Sequence, residues 1–110
     1  LEALWSVEFF SNVQGNGGGG VAVFETGRIL GGDSGYTYIG VYKTVNGVLC
    51  ADVKITAYRG MNNSVFGNIP DFTLHLEGQP KERTFDVVGH MIENPGLKIV
   101  VRLTRRADLP

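Results

Sequence analysis

Strict alternation of apolar and polar residues from Leu49 to Ala57 is the feature that most constrains this chain. Leu49, Ala51, Val53, Ile55 and Ala57 share one face, and Cys50, Asp52, Lys54 and Thr56 take the other. A period of two marks a strand with one buried face, because successive side chains of extended backbone point to opposite sides. The period recurs along the chain. Phe72, Leu74 and Leu76 alternate with Thr73, His75 and Glu77; Phe85, Val87, Gly89 and Met91 alternate with Thr84, Asp86, Val88 and His90. Leu97, Ile99, Val101 and Leu103 alternate with Lys98, Val100, Arg102 and Thr104. Near the start, Trp5, Val7 and Phe9 share a face opposite Ser6 and Glu8. Val21 and Val23 continue the pattern, as do Ile39 and Val41 after two tyrosines. No window shows sustained helical periodicity.

Turn signals separate these runs. Asn16 to Gly20 reads as a glycine-rich link, Glu25-Thr26-Gly27 as a short turn, and Asn46-Gly47 as a two-residue hairpin. Gly31-Gly32-Asp33-Ser34-Gly35 reads as a further reversal, followed by Tyr36 and Tyr38 on one strand face. Gly78-Gln79-Pro80-Lys81 and Asn94-Pro95-Gly96 are reversals too. Arg59 to Ile69 is the only long link, read as a loop or a helical turn. About eight short strands joined by tight turns predict an antiparallel meander that must curl or close, since open edges invite aggregation. The expected fold is a small all-β meander barrel, with residues 1–110 as a single domain.

The composition narrows the function. The net charge of −1 gives no electrostatic case for nucleic acid, and Arg102, Arg105 and Arg106 are the only candidate for a polyanion patch. One cysteine, Cys50, precludes an intramolecular disulfide and fits a reducing cytoplasm. No charged segment followed by an apolar run opens the chain, so no signal peptide is expected, and no apolar run approaches the length of a membrane span.

The chemistry-bearing residues read more simply as structural. Gly15 to Gly20 lacks the Lys-Ser or Lys-Thr of a phosphate loop and is followed by a strand pattern, so it reads as a mobile hairpin. His75 and His90 lie on polar strand faces and read as solvated or hydrogen-bonded; no metal or other cofactor is expected. Asp33 reads as an Asx cap of turn amides. Cys50 is expected on an outer face beside Asp52, which disfavours a thiolate. No nucleophile, base and orienting group come together, so no catalytic residue is expected and the chain reads as non-enzymatic.

Phe9-Phe10-Ser11-Asn12, a glycine-rich link, Gly27-Arg28-Ile29-Leu30-Gly31-Gly32-Asp33 and Tyr36-Thr37-Tyr38-Ile39-Gly40-Val41-Tyr42 carry a resemblance, together with Leu74 to Gly78. In these residues the chain resembles the GrlR family, negative regulators of bacterial type III secretion. The resemblance implies an eight-stranded, lipocalin-like β-barrel, a homodimer, and an anti-activator that sequesters a transcriptional activator without touching DNA. Ser11, Asn12, Gly31, Gly32, Asp33, Tyr36, Tyr38 and Gly40 are its motif positions, with structural roles. A family member binds its activator through an acidic Glu-Asp-Glu-Asp loop; by position that loop falls at Thr44-Val45-Asn46-Gly47, which holds no carboxylate.

Two functional expectations follow. The first is a regulator that acts by protein–protein contact, with the hairpin tip Lys43, Thr44, Val45, Asn46 and Gly47 and the exposed aromatics as candidate partner-binding residues. The second is a barrel that holds a small apolar ligand, lined by inward Trp5, Val7, Phe9, Val53, Ile55, Leu74, Phe85 and Val101, with Ala51, Ala57 and Gly89 leaving space.

Overall fold

The computed structural model describes residues 1–13, 15–59, 66 and 69–110, with backbone only for 15–17. The alternating segments form eight strands: β1 (Ala3–Ser11), β2 (Gly15–Glu25), β3 (Arg28–Gly32), β4 (Tyr36–Val45), β5 (Val48–Ala57), β6 (Asp71–Gly78), β7 (Thr84–Met91) and β8 (Lys98–Ala107). Each pairs antiparallel with the next, and β1 pairs with β8, closing the barrel. Closure leaves no sheet edge to template aggregation. The fold is thus the expected eight-stranded meander.

Apart from the glycine-rich segment Gly15 to Gly20, the predicted turns between adjacent strands that lie in the described residues form. Asn46 and Gly47 (φ 52° and 78°) and Thr26 and Gly27 (φ 51° and 77°) give two hairpins of the same type, with both central residues left-handed. Thr26 is β-branched and resists that conformation; its N–H donates to the Glu2 carboxylate at 2.7 Å, which ties the N-terminus over the turn. Most of the long Arg59–Ile69 link lies outside the described residues. Phe66 within it is buried and packs on Phe72 with ring centroids 5.5 Å apart.

Two expectations are corrected. Asn16 to Gly20 is not a link but the first half of β2, paired with β1. The glycines there permit close strand approach: a Cβ on Gly20 would clash with the Gly32 carbonyl and stand 2.6 Å from the Tyr38 hydroxyl. The valines of β2 and the aliphatics of β4 do not contribute to the core. Ala22 and Phe24 point inward, as do Ile29, Tyr36 and Tyr38, so period two sends Val21, Leu30, Ile39 and Val41 out to solvent.

The core is the barrel interior. At one end Trp5 meets Phe85 edge-on at 5.2 Å and Phe24 at 6.4 Å, and its indole N–H donates to the Leu1 carbonyl. At the other end Phe66, Phe72 and Tyr36 are buried. The outer wall carries Asp52, Lys54, Glu77, Asp86 and Arg102, and an apolar inside with a charged outside reverses the pattern of a lipid-embedded barrel. Among the described residues no helix is long and apolar enough to cross a membrane.

Candidate functional surfaces

The interior holds a void of about 50 Å³ lined by apolar atoms alone. Val7, Phe9, Val53, Ile55, Leu74 and Val101 line it as expected, as does Ala51. Trp5 and Phe85 do not; they close one end by packing on each other. Gly89 leaves no space, because the His75 carbonyl of β6 occupies the position its Cβ would take. Ligand pockets run to roughly 300–1,000 Å³. The void falls well below that range, and without polar partners it offers no site for an ordered water.

The motif Gly31-Gly32-Asp33-Ser34-Gly35-Tyr36-Thr37-Tyr38 folds into a hydrogen-bonded knot at one barrel end. Asp33 turns one carboxylate oxygen to the N–H groups of Gly35 and Tyr36, both at 2.8 Å. Its other oxygen accepts the Tyr38 hydroxyl at 2.5 Å. The Asp33 carbonyl accepts the Tyr58 hydroxyl at 2.7 Å, and Arg59 donates to the Ser34 carbonyl at 3.2 Å. The Tyr38 ring is buried edge-on against Phe9 at 5.6 Å. Burial foremost, and then the bond to Asp33, pushes the Tyr38 hydroxyl well above its ordinary range. Period two put Tyr36 and Tyr38 on one strand face without choosing the inside, and nothing in it joined the Tyr38 hydroxyl to Asp33, so this pair is visible only in the structure.

The Ser11-Asn12 motif is a second clamp. The Asn12 side chain donates to the Gly96 carbonyl and accepts the Lys98 N–H, both at 3.0 Å, which fastens β1 to the turn before β8. Gly40 lies between Ile29 and Val53 in register, where a Cβ would meet the β5 backbone.

The hairpin tip, Lys43 to Gly47, is fully solvent-facing at the opposite end from Asp33. Its Val45 is 47% exposed. The arginines of β8 are not a free cationic patch. Arg102 donates twice to Asp86, Arg105 pairs with Asp108 and covers Trp5, and Arg106 bonds Ser6.

The feature sequence reading passed over is the outer face of β2–β4. Val23, Leu30 and Ile39 stand directly opposite one another across three strands, with Val21 and Val41 on the flanking rows. Leu30, Ile39 and Val41 are 45%, 53% and 60% exposed. Glu25, Arg28, Asp52 and Lys54 stand around them in register. The signal was present: once Tyr36 and Tyr38 are assigned inward, Ile39 and Val41 must face out.

A cross-strand ladder of titratable groups continues round the wall from the edge of that face, Asp52 on β5, His75 on β6, His90 on β7 and Lys98 on β8, each paired in register with the next. His75 turns Nδ1 to Asp52 and Nε2 to Glu77, both at 2.7 Å. Glu77 first and Asp52 second push the His75 pKa up, with partial burial opposing. The hydrogen-bonded reading of His75 fits this geometry. Among the described residues no three His, Cys, Asp or Glu side chains are arranged to hold a metal ion. No protein-family model matches the chain, and no curated protein is significantly similar to it.

Proposed function

We propose that this protein is a non-enzymatic cytoplasmic regulator of the kind the GrlR resemblance implies. It binds and sequesters a transcriptional activator, so as to repress type III secretion genes, and works as a homodimer without contacting DNA. The observation that carries the reading is the aliphatic face of β2–β4, with Leu30, Ile39 and Val41 in solvent. Contiguous exposed apolar surface on a barrel whose own core is already filled is the usual mark of a protein contact. The face supplies the apolar contact that the carboxylate-free hairpin at Thr44–Gly47 cannot supply by charge.

The test has two arms. Light scattering of wild type and of Leu30→Glu/Ile39→Glu measures self-association, with a dimer expected for the first and a monomer for the second. Tagged protein in native lysate is expected to retain a DNA-binding activator that the double variant loses, while a Lys43→Glu hairpin variant reports separately on the tip. Repeated failure to recover any activator from the native host with its secretion locus intact overturns the reading. The rival, a small-ligand barrel, requires the interior to expand several-fold beyond its 50 Å³ void.

A further inference from the structure

The His75 site carries an inference that stands whether or not the regulator reading does. Both ring nitrogens lie 2.7 Å from carboxylate oxygens, Nδ1 from Asp52 and Nε2 from Glu77. An ionised carboxylate only accepts hydrogen bonds, and a neutral imidazole has a single N–H. Neutral His75 would therefore set one nitrogen lone pair against a carboxylate oxygen at contact distance. The arrangement is satisfied only by the imidazolium, which donates from both nitrogens. The proton belongs on the ring, because imidazole is more basic than a carboxylate by about two pKa units.

We propose that His75 is a proton-operated clasp on the outer wall of the barrel, closed as the imidazolium and open as the neutral ring. Closed, it joins Asp52 of β5 to Glu77 of β6 and leaves this trio with a net charge of −1. On loss of the proton the remaining N–H stays with Glu77, the stronger partner, the Asp52 contact is released, and the trio carries −2. Glu77 belongs to the same strand as His75, so only the Asp52 contact ties neighbouring strands. Asp52 pairs in register with Val41, so the charge change arises at the border of the exposed aliphatic face.

The surroundings support a midpoint above that of free imidazole. On β5, Lys54 and Cys50 flank Asp52; on β7, His90 stands against His75 with ring centroids 5.7 Å apart; on β8, Lys98 lies beyond His90. Glu93, in the β7–β8 turn, is engaged with the Thr73 N–H at 2.8 Å. The partial burial of His75 and the neighbouring lysines oppose protonation, and the two carboxylates at 2.7 Å outweigh them.

Histidine-observed NMR across pH tests the clasp directly. At pH 6.5, the ordinary midpoint, the wild type is expected to show more than half of His75 as imidazolium, with both nitrogens protonated. Asp52→Asn and Glu77→Gln each lower the midpoint, and the double variant lowers it further. Hydrogen exchange of the β5–β6 amides, corrected for intrinsic rate, is expected to quicken as His75 deprotonates in the wild type. In Asp52→Asn it should lose that dependence. A wild-type midpoint at or below 6.5, or one that neither carboxylate variant moves, overturns the proposal. So does β5–β6 exchange that ignores the His75 titration.

Discussion

Replacing Tyr38 by Phe removes one oxygen atom and tests the knot at the barrel end. The ring is buried and its contact with Phe9 survives, so little apolar burial is lost. What is lost is the bond from the hydroxyl to the second carboxylate oxygen of Asp33. A hydrogen bond to a charged acceptor contributes about 1.5–3 kcal/mol, and leaving the acceptor half-buried without its donor sets the cost toward the upper half. Asp33→Ala removes the acceptor for Gly35, Tyr36 and Tyr38 together and is expected to cost more, about 3 kcal/mol or above. The double variant should fall short of the sum by about 1–2 kcal/mol, because the two side chains share one bond. Urea unfolding followed by circular dichroism measures all three, and a loss of about 2 kcal/mol corresponds to a Tm drop of about 8 °C for a chain of this size.

The same residue fixes a pH signature. Tyr38 stays neutral in the fold well above the value of 10 at which it ionises when unfolded. Its contribution is therefore complete below pH 10. It is lost as pH climbs from there toward the raised folded value, at about 1.4 kcal/mol per pH unit. Tyr38→Phe should be flatter over that window. If the variant stays within about 0.5 kcal/mol of wild type, or the double-mutant cycle is additive, the bond to Asp33 is not what holds this end together.

Gly20→Ala places a methyl against the Gly32 carbonyl and the Tyr38 hydroxyl, and equilibrium unfolding should show a loss of about 1–3 kcal/mol. Val53→Ile adds one methylene to the void and is expected to stabilise by up to about 0.8 kcal/mol, while a fluorescent fatty acid shows no saturable binding to the wild type. His75 has a raised pKa, so its stabilisation is complete below pH 6.5 and fades as pH rises through the folded value. Denaturation at stepped pH should show that decline in the wild type and not in His75→Gln. Val21→Thr/Ile39→Thr/Val41→Thr keeps β-branching and removes most of the apolar surface around Leu30. Its unfolding curve should stay close to wild type while sedimentation velocity shows self-association lost.

Much of the fold was legible because strands of a closed barrel have one wet face and one dry face. From Leu49 to Ala57 the pattern assigns every side chain correctly, since polar Asp52 and Lys54 leave no choice of face. On β2 and β4 it fails for a physical reason. There both faces are apolar or small, Ala22 and Phe24 against Val21 and Val23, and period two fixes the alternation without choosing the inside. The glycines of β2 were misread because glycine marks turns and close strand packing alike, and only the neighbouring strands decide between them. The Asx cap at Asp33 was readable from its turn. The bond from Tyr38 was not, because it depends on how far a side chain reaches across the barrel mouth.

The inversion on β2–β4 bears on function as well as folding. Inward positions on this wall are small at Gly20, Ala22, Gly31 and Gly40, and the room they yield is taken by aromatics such as Tyr38 and Phe24. The wall contributes little aliphatic volume to the core, yet it displays Val21, Leu30, Ile39 and Val41 outside. Strand propensity alone does not require that display. Thr37 and Thr56 on the neighbouring rows are β-branched and polar, and threonine would serve the backbone equally well at Val21 or Val41. Aliphatic side chains left in water favour neither solubility nor folding, and a second surface covering them is what the proposed regulator reading would supply. The proton clasp at His75 lies next to that face through the Val41–Asp52 pair. A partner bound there would feel the change in charge, whereas the filled interior would not.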